Sequence, residues 1–241
     1  MIDTHSHILP GIDDGARSLD ESVEIVRELV RQGVTDVVAT PHFVNETNFV
    51  SPYSKNKKLL MGLKKRLARE GVKVNVYLGN EVYIDDEIVG LLDSGKITTY
   101  AGGKYLLVEL PLNDKYPNYE DILRDLMEHG YKVVLAHPER YAIVQEQYGV
   151  VEELCRMGVF LQCNLGSING KYGREAKKIV KKLVKDGLVF AFGSDIHRCS
   201  GGDALGVAQK KLTKYYSESE LNKVLVTNPK KILKDDSGKR L

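Results

Sequence analysis

Apolar segments rich in β-forming residues recur along the chain at residues 2–4, 36–40, 73–78, 105–110, 132–136, 159–163 and 188–192. Helical patterns lie between them. Leu19, Val23, Ile25, Val26, Leu29 and Val30 fall on one side of a helix with polar partners on the other, and Gly33 supplies its stop signal. Residues 120–129 carry the same signature and end at Gly130. Parallel neighbours need a crossover connection, usually a helix, so strands alternating with helices predict βα units and a parallel sheet. Seven such units predict an α/β fold of the (β/α)7, TIM-like barrel type. An open doubly wound sheet is the competing architecture, and periodicity alone does not separate the two.

A length of 241 residues suits one domain, so we expect a single domain over 1–241 with a polar, frayed tail at 235–241. Hydrophobic residues at 42% and charged residues at 28% match an ordinary globular protein and exclude the disordered and membrane classes. The net charge of +2 is too small to call for a nucleic-acid partner or stable membrane insertion. Met1-Ile2-Asp3-Thr4-His5 has neither the basic segment nor the apolar stretch of a signal peptide, so a cytoplasmic location is expected. Cys155, Cys163 and Cys199 lack paired short spacing and read as reduced thiols. A thiol-based tyrosine phosphatase would want arginine six positions after its cysteine; those positions hold Leu161, Asn169 and Leu205.

Five of the six histidines follow predicted strands directly: His5 and His7, His42, His137 and His197. In parallel α/β folds the loops at the carboxyl ends of strands build the active site, so these five should share one rim. Asp14, Glu81, Glu109 and Asp195 join them by the same placement. Four carboxylates in one cleft repel one another unless divalent cations compensate, and nine nitrogen and oxygen donors at one place predict a metal site. In His5-Ser6-His7 the imidazoles share a face of an extended chain, because side chains two apart do. His129, before Gly130, reads as a surface residue favourable to the helix dipole.

Asp3-Thr4-His5-Ser6-His7, Thr40-Pro41-His42, Glu81, Glu109-Leu110-Pro111, Ala136-His137-Pro138-Glu139-Arg140 and Ser194-Asp195-Ile196-His197 together resemble the PHP (polymerase and histidinol phosphatase) superfamily. The run from His5 to Ala16, with Asp13-Asp14-Gly15 its most discriminating part, resembles the bacterial manganese-dependent protein-tyrosine phosphatases encoded with capsule and exopolysaccharide genes. The resemblance implies a distorted barrel and three divalent metal ions, manganese first and iron or zinc as alternatives. It implies one ion held by His5, His7, Glu81 and Asp195, a second by Glu81, Glu109 and His137, and a third by Asp14, His42 and His197. Asp14 stands where other branches often carry histidine, which favours harder manganese over zinc. The implied reaction is attack of a metal-bound hydroxide on phosphorus, without a cysteine nucleophile.

Arg140 is the expected catalytic arginine, its planar fork gripping phosphate oxygens as charge redistributes; the plainer reading is a rim salt bridge to Glu139 or Glu146. Arg198 is a second candidate for substrate, although the chain departs from the family by continuing Cys199-Ser200-Gly201-Gly202. Lys171 and Arg174, in a loop after the sixth strand, are further candidates for an acidic phosphopeptide; a merely solvated turn is the alternative. Tyr53-Ser54-Lys55-Asn56-Lys57-Lys58 opens a basic helix, read as a solvated face. Asp13 is left free as a general acid by this ligand scheme. The implied substrate is phosphotyrosine on a bacterial tyrosine kinase that regulates capsule synthesis. A small-metabolite phosphatase such as a histidinol-phosphatase, or a non-catalytic metal-binding PHP module, remain alternatives, and the oligomeric state stays open.

Overall fold

The computed structural model describes residues 1–114, 116–199, 202 and 204–234, so the tail expected at 235–241 lies outside the described residues. Its strands are β1 (Ile2–Ser6), β2 (Asp36–Ala39), β3 (His42–Phe43), β4 (Asn75–Leu78), β5 (Glu81–Tyr83), β6 (Tyr105–Glu109), β7 (Lys132–Ala136), β8 (Phe160–Asn164) and β9 (Val189–Gly193). The helices are α1 (Leu19–Arg31), α2 (Tyr53–Arg69), α3 (Ile88–Asp93), α4 (Tyr119–Glu128), α5 (Ala142–Glu146), α6 (Gly149–Met157), α7 (Leu165–Asn169), α8 (Gly173–Lys185), α9 (Ala204–Leu212), α10 (Glu218–Asn222) and α11 (Asn228–Lys234).

Every strand pair is parallel, in a sheet of order β1-β2-β4 and a sheet of order β3-β5-β6-β7-β8-β9. Nine strands among the described residues replace the seven expected, because β2 and β4 are each followed at once by a second short strand. Pro41, which lacks the N–H a ladder uses, and the Gly79-Asn80 step cause the two breaks. Pairing nevertheless carries across them: Gly79 N donates to Ala39 O at 2.8 Å and Glu81 N to Pro41 O at 3.1 Å. His42 and Glu81 therefore lie opposite each other within strands instead of in loops after them. At the other end of the order, Asp195 N donates to His5 O at 2.9 Å and His7 N to Ile196 O at 3.0 Å, tying the edge strands β1 and β9 together.

Both faces of the strands are covered. Val37, Leu106, Val108, Val133, Leu135, Leu161 and Phe192 pack under helix residues such as Ile25, Leu29, Leu126 and Leu183. Val38, Leu107, Val134, Ala136 and Ala191 form a second cluster on the face away from those helices, joined by Ile232 of α11. This is why the strands read as unbroken apolar runs. The expected helix ends hold: α1 starts on a Ser18 cap whose side chain accepts from Glu21 N, and Gly33 and Gly130 follow α1 and α4 with φ near +84°. His129 is the C-cap of α4, where its Nδ1 donates to Asp125 O at 2.8 Å.

Candidate metal centre

Alternation along a strand puts donors and core on one face. In β6, Leu107 sits in the inner apolar cluster, and Glu109, two residues on, emerges above it at the carboxyl end. In β8, Phe160 packs against the same cluster while Gln162 and Asn164 face the site above. β1 contributes His5 and His7 by the same two-residue step. His5, His7, Glu81, His137 and Asp195 are buried, Glu109 nearly so, His42 and His197 partly, and Asp14 is open to solvent.

The outer ring nitrogens decide the tautomers. Gln162 Nε2 donates to Cys163 O at 2.8 Å and Asn164 Oδ1 at 3.1 Å, which turns its Oε1 toward His5 Nδ1 at 2.7 Å. His7 Nδ1 donates to Asp13 Oδ2 at 2.9 Å, and His197 Nδ1 donates to Asp195 O at 3.2 Å. Each such bond keeps the proton on Nδ1 and leaves Nε2 with a lone pair, the arrangement that orients metal-ligating histidines. His5 Nε2 and His7 Nε2 then face each other at 3.1 Å. Glu81 Oε2 lies 3.1 Å and 3.3 Å from them, and Asp195 Oδ1 3.6 Å and 3.5 Å. Four acceptor atoms converge with no donor among them, which only positive charge can reconcile.

Two neighbouring groups have the same character. His197 Nε2 is 3.3 Å and His42 Nε2 3.6 Å from Asp14 Oδ1. His42 Nδ1 is 3.0 Å from Glu81 Oε2 and 3.7 Å from Glu109 Oε2, while His137 Nε2 is 3.0 Å from Glu81 Oε1 and 3.5 Å from Glu109 Oε1. Among the described residues the clusters able to hold an ion are His7, Asp14, His42 and His197; His5, His7 and Glu81; and His42, Glu81 and Glu109, with donor atoms in each within 4.8 Å of one another. The overlap differs from the ligand sets drawn from sequence: His7 and His42 are shared between groups.

The titration of the cluster expresses the same demand. Burial disfavours the charged His5 ring, yet Glu81 and Asp195 outweigh it and raise its pKa to about 9. Burial and the adjacent Glu81 charge push Glu109 up to about 9, while Glu81 itself is held well below its usual range because His5 and His42 overcome its burial. In the protonated ring His197 can also donate through Nε2, and that contact leads the fall of Asp14 to about 2. Positive charge must enter here, as protons or as cations, and the donor set of imidazoles and carboxylates suits divalent metals.

Backbone geometry aims several of these groups. His137 and Asp195 adopt positive φ, 32° and 50°, a conformation that costs a side-chain-bearing residue on the order of 1–3 kcal/mol and collects at functional sites. Asp3 anchors the residue before Asp195: its Oδ1 accepts from Ser194 N at 2.8 Å and its Oδ2 from Ser194 Oγ at 2.6 Å. A Cβ on Gly193 would meet His5 Cβ at 2.5 Å and Gln162 Nε2 at 2.9 Å, so β9 approaches β1 only through glycine. The turn carrying His137 is anchored by the buried Glu139, whose Oε1 accepts from Asn164 N at 2.9 Å and Ser167 Oγ at 2.6 Å.

Arg140 does not make the rim salt bridge weighed from sequence. Its Nη1 donates to Asp195 Oδ2 at 3.0 Å, and its guanidinium lies 4.4 Å over the Tyr172 ring. Asn164 Nδ2 at 2.7 Å and Tyr172 OH at 3.0 Å donate to the same oxygen. Arg198 points along the surface, with Nε 3.6 Å from Glu21 Oε1 and Nη1 donating to His197 O. Ser200 and Gly201 beyond it lie outside the described residues. Between Asn164, which ends β8, and Arg174, the short helix α7 interrupts the expected loop; Lys171 sits exposed in the turn at 170–172, and Arg174 is exposed in the first turn of α8. Asp13 is not free; besides His7 it accepts from Gly15 N at 2.9 Å and His42 N at 3.1 Å. Gln162, Asn164, Tyr172 and Asp3 escaped the sequence reading, though a glutamine and an asparagine two apart in an apolar strand were a legible signal. The thiols stay protonated: burial raises Cys155 and Cys163, and burial with Glu28 raises Cys199 to about 11.

A parallel α/β fold with imidazoles and carboxylates gathered at its strand ends defines the class of candidate metallohydrolases. The chain belongs to the CpsB/CapC capsular polysaccharide synthesis family, which it matches over residues 1–234. It is 33% identical to the tyrosine-protein phosphatase YwqE of Bacillus subtilis, covering 98% of this chain and 93% of that one. It is 30% identical to the putative tyrosine-protein phosphatase CapC of Staphylococcus aureus, covering 95% and 92%. A solved structure from work on YwqE and on CpsB of Streptococcus pneumoniae, described as metal-dependent tyrosine phosphatases, superposes with a TM-score of 0.86 at 31% identity, covering 98% of this chain and 95% of that one. The fold alone is shared with an amidohydrolase from Mycoplasma synoviae, at a TM-score of 0.63 and 15% identity over 97% of this chain and 87% of that one.

Proposed function

We propose that this protein is a cytoplasmic metal-dependent protein-tyrosine phosphatase acting on phosphotyrosine of a bacterial tyrosine kinase that regulates capsule or exopolysaccharide synthesis. The observation that carries the reading is the meeting of His5 Nε2 and His7 Nε2 at 3.1 Å, each within 3.6 Å of Glu81 Oε2 and of Asp195 Oδ1, with the outer ring nitrogens held by Gln162 and Asp13 and Asp195 Oδ2 held by Asn164 and Tyr172. Membership of the capsular family supports the substrate class.

In this reading β1 and β9 close the two sheets into one distorted (β/α)7 barrel, and residues 1–241 form a single domain around it. Three divalent ions would be held, one by His5, His7, Glu81 and Asp195, a second by Glu81, Glu109 and His137, and a third by Asp14, His42 and His197, with manganese favoured because Asp14 and the other carboxylates supply hard oxygen donors. Bound divalent cations would supply positive charge to phosphate oxygens and lower the pKa of water for attack on phosphorus. The protein's own groups do the rest. Gln162, Asp13 and the Asp195 carbonyl hold the imidazole protons away from the substrate side. Arg140, held over Tyr172, presents its remaining N–H groups to the phosphate. The leaving phenol has a pKa of about 10, so it departs with little protonation. Cysteine plays no part.

The test compares a phosphotyrosyl peptide with histidinol phosphate in the presence of manganese. Higher kcat/KM on the peptide is expected; preference for histidinol phosphate would overturn the substrate, and hydrolysis of neither would overturn the enzyme reading.

A further inference from the structure

The solvent side of α8 is unusual for its single sign of charge. Ala176, Ile179, Val180, Leu183 and Val184 bury one face, and Arg174, Lys177, Lys178, Lys181, Lys182 and Lys185 occupy the other. One acidic residue, Glu175, accompanies these six cations, in a chain whose total charge is only +2. The six line one shallow groove of about 410 Å³. Among the described residues Lys178 alone of the six lies within ion-pair reach of a carboxylate, Glu175 at 3.7 Å. Solvation of an amphipathic helix accounts for a charged face but not for one sign of it; the solvent face of α1 mixes Asp20, Glu21, Glu24, Arg27 and Arg31.

The stripe is continuous with the candidate site. Tyr172, immediately before α8, donates to Asp195 and carries Arg140 on its ring, and the Lys171 ammonium lies 5.0 Å over the same ring. From Arg174 to Lys185 the helix rises about 17 Å, a span that about five residues of extended polypeptide cover. α2 is also basic, but it packs against α1 and β4 and is not joined to the Arg140 turn, as α8 is.

We propose that the cationic face of α8 docks an acidic polypeptide segment of about five residues that flanks the phosphorylated tyrosine, and so selects acidic-tailed protein substrates over small phosphate esters. The proposal rests on the phosphatase reading above. Phosphotyrosyl peptides with five glutamates before the phosphotyrosine, five after it, or glutamines at both places would be compared on the wild-type protein, on a variant carrying Lys177→Gln, Lys178→Gln, Lys181→Gln and Lys185→Gln, and on a charge-matched control carrying Lys55→Gln, Lys58→Gln, Lys64→Gln and Lys65→Gln in α2. At low salt, KM for one glutamate peptide should lie about tenfold below that for the glutamine peptide, as four exposed charge pairs each contribute about a factor of two. The α8 variant should lose that advantage with kcat unchanged, and the α2 control should keep it. Equal KM for all peptides, or equal loss in both variants, would overturn docking. So would unaltered peptide kinetics in an α8 variant that no longer sediments with phosphatidylglycerol vesicles, which would assign the stripe to a membrane surface. Polarisation of the labelled glutamate peptides reads binding directly, so absence of turnover would strike the phosphatase reading while binding still decides the docking.

Discussion

Replacing Asp13 by asparagine separates a positioning carboxylate from a general acid. Asp13 is buried and accepts three hydrogen bonds, from His7 Nδ1 at 2.9 Å, Gly15 N at 2.9 Å and His42 N at 3.1 Å. An amide has one acceptor oxygen. Placed at Oδ2 it serves His7 and His42, but its NH₂ then meets the Gly15 N–H, and a buried donor without an acceptor costs about 1–3 kcal/mol. Placed at Oδ1, its NH₂ faces His7 Nδ1 and drives the imidazole proton onto Nε2, which removes His7 as a ligand. The first placement leaves His7 a neutral acceptor in place of a carboxylate and the second takes its orienting partner away, and damage to such a partner typically weakens metal affinity about 10–100-fold, or about 1.4–2.7 kcal/mol. Manganese titration of Asp13→Asn should show that loss, thermal melting of the chelator-treated protein should fall by several degrees, and kcat at saturating manganese should recover most of its value. Unchanged metal affinity with a collapsed kcat would refute the positioning role and return Asp13 to proton transfer.

Gln162→Leu removes the acceptor on His5 Nδ1 at similar volume, so manganese affinity should fall by about tenfold or more in a calorimetric titration. Arg140→Gln should lower kcat on phosphotyrosyl peptide by about 10²–10³ while metal content, read by elemental analysis, is retained, because Asn164 and Tyr172 still hold Asp195. Leu107→Ala empties a fully buried position in the apolar layer directly beneath the site and should cost about 2–5 kcal/mol in denaturant unfolding. Chelation should abolish activity and lower the melting temperature, and manganese should restore both, since the buried carboxylates of Glu81, Glu109 and Asp195 are then left uncompensated in one cluster.

Much of the site was legible because its chemistry is local to strand ends. Dihistidine spacing and the strand-end position of Glu109 and Asp195 follow from residue type and a period of two, whereas the Asp13-Asp14-Gly15 run was legible through the family resemblance. The two additional strands were not, since each of β3 and β5 holds only two or three residues and earns its ladder from a neighbour already in place. The partners of the ligands were hidden for a different reason. Gln162 meets His5 across 157 residues of chain and Asp3 meets Ser194 across 191, contacts that exist only once β1 lies beside β8 and β9.

By itself, then, the order of residues determined that strands would alternate with helices, that apolar runs would be buried, and which side chains of what acidity and basicity would stand where strands end. Tertiary structure alone decided which of those atoms face one another, which ring nitrogen of each histidine keeps its proton, and that Arg140 rests on Asp195 and Tyr172 instead of on Glu139. Hydrophobic period is a property of neighbours along the chain, whereas the direction of a lone pair depends on a hydrogen bond made by a distant strand, and only folding brings the two together.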